Sequence, residues 1–359
     1  MGARHVYIIG AGFSAGLGFP TIGNLLPQMW SEIEEEGLAE SLASIIRFNH
    51  PDFNASNPDT YPNVEALLSE IQANLELFGS SRPVTGSLTS NHLEVARGKF
   101  LRLLARSFHE KKKEALSTVP AWLEIIVEKM RDDEADVISF NWDLVLDQLL
   151  LGSKFSAASY GFGEREAGPR LLKPHGSLNW YRAADNNRIK TNKRVILVDS
   201  ENDEAESVFA FRPFRAPQSN IGREYMPLIV APVYSKRFDG ALFDVLWRET
   251  VAVLSRATKV TFIGYSLPTA DFHARFILRC GFHNQENGMI RDVTERDFPT
   301  GRAHVTVVDP SSAAHRQVAQ AVGWQTVRRK MSVEDWVNRY LVRKPAVPDD
   351  LPDPLIDEL

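Results

Sequence analysis

The chain has 359 residues, of which 43% are hydrophobic, so it can bury one large core or two smaller ones. Its formal net charge of -5 gives no general attraction to nucleic acid or to acidic membranes. Cys280 is the only cysteine, which excludes disulfide frameworks and cysteine-rich zinc sites. The sequence shows neither a secretory signal nor an apolar run long enough to span a membrane, and we expect a cytoplasmic protein with no membrane partner.

The first predicted element is a buried strand from His5 to Ile9, followed at once by the glycine-rich turn GAGFSA. This turn fits the G-x-G-x-x-G/A pattern that places the phosphates of a dinucleotide on a helix N-terminus. Its glycines and its serine would let backbone amides and one hydroxyl approach a pyrophosphate; the alternative is a tight turn without a ligand. The turn residues that we assign to cofactor binding are Gly10, Ala11, Gly12, Phe13 and Ser14.

Residues 21–130 carry helical spacing and no convincing strand. Asn63 is the predicted N-cap of one helix, and the polar segment from Asn49 to Pro62 is a predicted loop. A dehydrogenase would need a second strand here that ends in an acidic residue, and its absence disfavours hydride transfer. Helices are predicted within the stretches GNLLPQMWSEIEEEGL, NVEALLSEIQANLELF, EVARGKFLRLLARSFHEKKKEAL and VPAWLEIIVEKM.

The remaining predicted strands of the main sheet are short apolar runs: Ala135 to Phe140, Pro227 to Ala231, Lys259 to Ile263 and His304 to Val308. The run from Arg194 to Ser200 is a further candidate outside that sheet, and Ser200 to Arg223 is a predicted loop. These elements predict an α/β fold with a doubly wound, mostly parallel, Rossmann-like sheet, which binds ligands at the carboxyl ends of its strands. The predicted division of the chain is a core (residues 1–20 and 131–345), an inserted helical module (residues 21–130) and an acidic, proline-rich tail (residues 346–359).

Polar residues follow the predicted strand that ends at Phe140. Asn141 can orient a hydroxyl or a water through both its donor and its acceptor. Alternatively, it can cap a helix that begins at Asp143. Both roles remain open from the sequence alone.

Two later strands are also followed by candidate site residues. Gly264, Tyr265 and Ser266 come after the strand that ends at Ile263. Asp309 comes after the strand that ends at Val308 and is placed to accept hydrogen bonds from an adenosine ribose. Asp271 can either line a pocket or cap the helix that follows it, and the cap is favoured.

His175 is the strongest single candidate for catalysis. It lies in the stretch KPHGS, where Pro174 fixes its backbone and Gly176 frees the next position, so the imidazole can be presented at a bend. An imidazole titrates near neutrality, which suits a general base. Ser177 next to it is rejected as a nucleophile because sequence neighbours rarely form that geometry and the chain has no G-x-S-x-G elbow.

Four segments in this order, GAGFSAGLGFP, ISFNWD, LKPHGSLNWY and IGYSLPTAD, resemble the sirtuin-like superfamily. The resemblance is to the prokaryotic, zinc-free sirtuin-like NAD hydrolases of antiphage defence more than to the protein deacylases. It covers residues 6–18 and 136–309 and leaves out the helical module. It implies a Rossmann-like sirtuin core that uses NAD as its substrate.

The resemblance also implies roles for individual residues. Asn141 matches an asparagine near the nicotinamide ribose, Asp143 an aspartate that positions the nicotinamide, and His175 the catalytic histidine. The turn at Gly264, Tyr265 and Ser266 matches one that approaches the ribose and the phosphates. The stretch GFPT lacks the Asp-Phe-Arg of the family pattern, so Pro20 and Thr21 are expected to line the pocket instead.

The leading hypothesis is hydrolysis of NAD to nicotinamide and ADP-ribose. One cysteine cannot form the four-cysteine zinc module of the deacylases, so we expect no zinc and no full platform for peptides, and water is the expected acceptor. The alternatives are an NAD-dependent protein deacylase or ADP-ribosyltransferase, and a non-catalytic NAD or ADP-ribose sensor. Because an NAD hydrolase must be controlled, a homo-oligomer and a separate partner, such as a nucleic-acid-translocating ATPase or a phage sensor, are expected.

Overall fold

The computed structural model describes residues 4–78, 83–85, 88–183, 194–198, 207–211, 227–229, 241–269, 271–287 and 302–342. In chain order the strands are β1 (His5–Ile9), β2 (Pro83–Thr85), β3 (Leu88–Thr89), β4 (Asp136–Ser139), β5 (Arg170–Leu172), β6 (Gly176–Ala183), β7 (Arg194–Val198), β8 (Ser207–Phe211), β9 (Pro227–Ile229), β10 (Lys259–Ile263), β11 (His304–Val308) and β12 (Val327–Arg329). The α-helices are α1 (Ala11–Ala15), α2 (Leu25–Glu35), α3 (Ala39–Asn49), α4 (Val64–Phe78), α5 (Ser90–Ala115), α6 (Ala121–Asp132), α7 (Ala241–Ser255), α8 (Phe272–Asn287), α9 (Ser312–Val322) and α10 (Val333–Tyr340). Within these ranges, every helix is too short or too polar to cross a membrane.

Six parallel strands form the central sheet, in the order β12-β11-β10-β1-β4-β5. All five residues of β1 are buried, as expected for a strand that is covered on both faces of the sheet. The chain builds outward from β1 through β4 and β5, then returns to the other side of β1 for β10, β11 and β12. This reversal between β1 and β10 is the topological switch point at which such sheets bind ligands. The predicted doubly wound, mostly parallel fold is confirmed.

A second sheet is antiparallel, in the order β7-β8-β6-β9. The predicted strand outside the main sheet is confirmed as β7. Two predictions are wrong: β9 pairs antiparallel with β6 instead of joining the parallel sheet, and the predicted loop of residues 200–223 contains β8. The error at β9 arises because a short apolar run does not reveal its pairing partner. The error at β8 arises because polar residues surround this strand in the sequence, although residues 208–211 are buried. Residues 230–231 and the rest of that loop lie outside the described residues.

The predicted helices between the first two parallel strands are confirmed as α2, α4, α5 and α6. The predicted cap of α4 is also confirmed, since Asn63 Oδ1 accepts a hydrogen bond from the Ala66 amide at 2.7 Å. The expectation that this segment contains no strand is wrong, because β2 and β3 form a short antiparallel pair. Helix α3 is an additional element that the sequence analysis missed.

The division into core, module and tail stays a prediction. Helix α6, which ends the predicted module, packs against core elements: Trp122 meets Phe13 of α1 edge to face, with ring centroids 5.5 Å apart. Helix α6 also contacts α10. It thus covers the sheet as a connecting helix of an α/β fold does. The predicted tail of residues 346–359 lies outside the described residues.

Candidate active site

The carboxyl ends of β1, β4, β10 and β11 open into one cavity of about 780 Å³. This volume is typical of sites for small molecules and cofactors. Of the residues assigned from the sequence, those that line it are Gly10, Ala11, Gly12, Thr21, Asn141, His175, Gly264, Tyr265, Ser266 and Asp309. The structure therefore brings together the ends of strands that are distant in the sequence.

The two glycine turns at the switch point pack directly against each other. The amide of Gly10 donates to the carbonyl of Ile263 at 3.1 Å, and the amide of Gly12 donates to the carbonyl of Gly264 at 2.8 Å. A Cβ atom on Gly12 would lie 2.8 Å from Gly264 Cα, and Gly264 has a φ of +60°. The amides of Gly10 and Gly12 are thus both used within the protein, and the predicted approach of this turn to a pyrophosphate stays a prediction. Glycine is required here for the close approach of two loops.

Four residues assigned to the pocket lie outside the large cavity. The Phe13 side chain is fully buried against Trp122 and lines neither pocket, so its assignment to cofactor binding stays a prediction for its backbone alone. Ser14, Pro20 and Asp143 instead line a neighbouring pocket of about 40 Å³. The Ser14 hydroxyl donates to Asp143 Oδ2 at 2.7 Å, which directs it away from a phosphate. Burial raises the pKa of the Asp143 carboxyl, and the charge of Lys173 opposes that increase.

Asn141 lines both the large cavity and the small pocket. Its Nδ2 donates to the carbonyl of Gly10 at 3.0 Å and to the hydroxyl of Ser14 at 3.1 Å. The alternative role as a helix cap is wrong, because Asp143 accepts the local hydrogen bond from the Val145 amide at 3.0 Å. Because Gly10 and Ser14 both hold its amide nitrogen, the Asn141 side chain has one orientation at the cavity wall.

His175 lies between β5 and β6, and it is 4% exposed. Gly176 has a φ of +76°, and a Cβ atom there would collide with the carbonyl of Leu228 in β9. The predicted bend is thus confirmed. The imidazole packs edge to face on Phe140, with ring centroids 5.0 Å apart, and the carbonyl of Pro174 accepts a hydrogen bond from the Trp247 indole at 3.2 Å. These contacts fix the ring at the cavity wall.

Asp271 performs both of the roles that the sequence left open. Its Oδ1 accepts a hydrogen bond from the Ala274 amide at 3.1 Å and so caps α8, which confirms the predicted cap. Its Oδ2 lies 3.0 Å from His175 Nε2 and accepts a hydrogen bond from the Tyr265 hydroxyl at 3.2 Å. Burial and the Asp271 charge raise the pKa of Tyr265, so the phenol stays protonated and remains a donor.

Asp309 lies at the end of β11 and lines the cavity, as expected. Its Oδ1 accepts a hydrogen bond from the Ser311 amide at 2.7 Å. Burial raises the pKa of this carboxyl, while that hydrogen bond and His315 act in the opposite direction. Because the Asp309 side chain is only 8% exposed, water screens its charge less than it would at the surface.

A buried network behind the site was missed by the sequence analysis. Lys173 Nζ donates to the Asp143 carbonyl at 2.7 Å, to Asp147 Oδ2 at 2.9 Å and to the Ser177 hydroxyl at 2.8 Å. The Tyr160 hydroxyl donates to the other oxygen of Asp147 at 2.6 Å. The network ties the segment after β4 to the segment that carries His175. Its only signal in the sequence is a lysine two residues before that histidine.

Two helices complete the walls of the cavity. Helix α4 contributes Asn63, Glu65 and Glu70, and the start of α10 contributes Ser332 and Glu334. The lining among the described residues contains five carboxylates and neither lysine nor arginine; the carboxylates belong to Glu65, Glu70, Asp271, Asp309 and Glu334. The contribution of α4 was not predicted, because nothing local in a helical pattern shows which face of the helix meets a distant strand end. Over the described ranges, no three or more His, Cys, Asp or Glu side chains are grouped to hold a metal ion.

No protein-family model matches the chain, and no curated protein matches its sequence. Solved Sir2 structures do match over most of its length. A Sir2 homologue in complex with NAD is 12% identical, with 94% of this chain and 88% of that chain covered and a TM-score of 0.47. Sir2Tm bound to a propionylated peptide is 13% identical, with 94% and 91% covered and a TM-score of 0.41.

Proposed function

We propose that the protein is an NAD glycohydrolase, which cleaves the bond between nicotinamide and ribose to give nicotinamide and ADP-ribose. The observation that carries the proposal is the meeting of Asn141, His175 and Asp309 in one cavity at the switch point of the sheet. The resemblance of the surrounding motifs to the sirtuin-like superfamily supports NAD as the substrate.

In the proposed reaction, the bond between C1′ and the nicotinamide nitrogen breaks, and its electron pair leaves with nicotinamide. The ribose carries the developing positive charge until the oxygen of a water molecule bonds to C1′. His175 accepts the proton of this water, directly or through a ribose hydroxyl. Asn141, whose amide nitrogen is held by Gly10 and Ser14, orients the water or the ribose hydroxyls.

Asp271 is the proposed positioning residue for His175. A carboxylate next to an imidazole fixes the orientation of the ring and stabilises the imidazolium that forms when the ring takes up a proton. The distance of 3.0 Å between His175 Nε2 and Asp271 Oδ2 supports this role.

The proposed orientation of the dinucleotide follows from the strand ends. Asp309 accepts hydrogen bonds from the adenosine ribose at the end of β11, and the nicotinamide ribose lies near Asn141 at the end of β4. The pyrophosphate then lies between them. The first turns of α4 and α10 border the cavity, and the positive ends of their helix dipoles offset part of the repulsion between the carboxylates and the phosphates.

Water is the proposed acceptor because the single cysteine leaves the chain without a four-cysteine zinc module for docking acyl-lysine peptides. The proposed biological role is a regulated antiphage defence effector. Because uncontrolled hydrolysis would deplete the cell's own NAD, the proposal includes control by a homo-oligomer and by a separate sensor partner.

The test is an assay of the purified protein with NAD, in which free nicotinamide and ADP-ribose are measured with and without an acetyl-lysine peptide. Hydrolysis predicts equal amounts of both products and no effect of the peptide. Release that requires the peptide would indicate a deacylase or a transferase. NAD binding without release under all conditions would indicate a sensor.

A further inference from the structure

Helix α4 places a buried carboxylate at the candidate site. Glu65 lies in the first turn of this helix and is 9% exposed, although glutamate is among the residue types that are least often buried. The Asn63 cap fixes that turn through the hydrogen bond to the Ala66 amide. The start of a helix is also a favourable place for a negative charge. The first turn of α4 is therefore a place where the fold tolerates a buried carboxylate.

Glu65 lies where the large cavity joins the small pocket. The described residues that line both spaces are Ala11, Ile22, Glu65, Phe140 and Asn141, and Glu65 is the charged residue among them. Glu65 and Tyr265 line the same cavity. The negative charge of Glu65 adds to burial and to Asp271 in raising the pKa of the Tyr265 phenol. Tyr265 in turn donates to the carboxylate beside His175. Glu65 thus lines the same cavity as Asn141 and His175, and it shares the lining of the small pocket with Asn141.

We propose that Glu65 is a catalytic residue for cleavage of the bond between nicotinamide and ribose, acting as the anion that stabilises the positive charge at C1′. The inference rests on the proposed function. As that bond breaks, positive charge moves from the pyridinium ring onto the ribose, and nicotinamide leaves as a neutral molecule. A fixed carboxylate beside C1′ stabilises this state more than the ground state.

Glu65 forms no bond and keeps its charge throughout. The water oxygen bonds to C1′, and the proton of the water goes to His175. Glycosidases also place carboxylates beside the carbon whose glycosidic bond breaks. They do so because a positive charge develops on that carbon in the transition state. This role gives the helical segment a part in the chemistry and explains why a glutamate is buried in its first turn.

The experiment compares three variants of the full chain. Glu65→Gln removes the charge and keeps the shape, and we expect kcat for nicotinamide release to fall about 10²-fold or more while KM and the Kd for ADP-ribose change by less than about threefold. Glu65→Asp keeps the charge and should retain a larger share of kcat. Glu76→Gln is the matched control, since Glu76 lies on the same helix, accepts a hydrogen bond from Gln72 at 2.9 Å and does not line the cavity.

Two results would overturn the role of Glu65 while leaving the proposed function intact. One is a wild-type kcat in Glu65→Gln when the wild-type protein cleaves NAD. The other is a fall in the ADP-ribose affinity of Glu65→Gln as large as the fall in kcat, because Glu65 would then act in binding rather than in stabilising the charge at C1′. A wild-type protein that releases no nicotinamide would instead overturn the proposed function itself.

Discussion

His175 Nε2 and Asp271 Oδ2 lie 3.0 Å apart, although 95 residues separate them in the chain. The histidine lies in the bend before β6, and the aspartate precedes α8. Asp271 is held from two further directions, by the Ala274 amide and by the Tyr265 hydroxyl. A carboxylate fixed in this way holds the imidazole in one orientation, so this pair is the best-defined part of the candidate site.

Asp271→Asn tests whether this carboxylate positions the histidine. Asparagine also caps helices well, so the melting temperature should stay close to that of the wild type. The charge beside the imidazole is lost, and kcat should fall by about tenfold or more with little change in KM. Kinetics and a melting curve of the same preparation check this. An unchanged kcat would mean that Asp271 acts only as the cap of α8.

His175→Ala separates chemistry from binding. Loss of a general base should lower kcat by about 10²–10⁴-fold, while ADP-ribose binding measured by calorimetry should remain. Because the ring is buried against Phe140, the alanine variant should also lose about 1–3 kcal/mol of folding stability. His175→Gln fills more of the space and is the control for packing. Turnover at the wild-type rate in either variant would identify another group as the base.

Lys173→Met tests the buried network. The lysine is fully buried, and its loss leaves the Asp147 carboxylate in the interior without its cation. Breaking a buried ion pair in this way costs about 3–5 kcal/mol of folding free energy, which urea unfolding measures. Adding Asp147→Asn to the variant should restore part of the stability, because no unpaired charge then remains. A double variant no more stable than the single one would show that the ion pair is not the source of the loss.

Four of the six strands of the central sheet, β1, β4, β10 and β11, could be predicted because they are short and mostly buried apolar runs. Strands β5 and β12, of three residues each, were missed. The boundaries of β1, β10 and β11 match the predicted runs, since a parallel strand covered on both faces is apolar along its whole length. The antiparallel sheet could not be assigned in the same way. Whether β9 joins the parallel sheet or pairs with β6 depends on contacts between distant parts of the chain. A strand of three residues carries no signal for that choice.

Asn141 and Asp309 could be assigned to the candidate site because each follows a predicted strand, and His175 could be assigned because it lies in a bend between Pro174 and Gly176. The function of the glycine pattern was harder to predict. Gly12 satisfies the motif, but the structure uses its missing side chain for contact with Gly264 rather than for an amide aimed at a ligand. Glu65 had no local signal at all, because a glutamate in the first turn of a helix is commonplace on a protein surface. Only the docking of α4 over the strand ends distinguishes it.

His5 should make folding stability depend on pH. Its pKa is lowered to about 4, mainly by burial, with the charge of Lys259 in the same direction and the hydrogen bond to Asp133 opposing it. Between pH 6.5 and 4 the unfolded chain therefore binds a proton that the folded chain does not, so stability is present above pH 6.5 and is lost as the pH falls through this window. The loss should amount to about 3 kcal/mol. Urea unfolding of the wild type and of His5→Asn at a series of pH values checks this, and parallel curves for the two proteins would contradict it.

Asp309 should set the preference between NAD and NADP. An ionised carboxylate beside the adenosine ribose repels a 2′-phosphate, so the wild type should hydrolyse NAD with a higher kcat/KM than NADP. Because burial raises the pKa of Asp309, part of this repulsion should disappear as the pH is lowered toward that raised value, and the ratio of the two kcat/KM values should narrow in the acidic range. Asp309→Asn keeps a hydrogen-bonding side chain without the charge. Its ratio of kcat/KM for NAD to kcat/KM for NADP should be closer to 1 and independent of pH. Steady-state kinetics with both dinucleotides across this range measure the ratio directly. Equal use of NAD and NADP by the wild type, or a ratio that is the same in Asp309→Asn, would place the adenosine ribose elsewhere in the cavity.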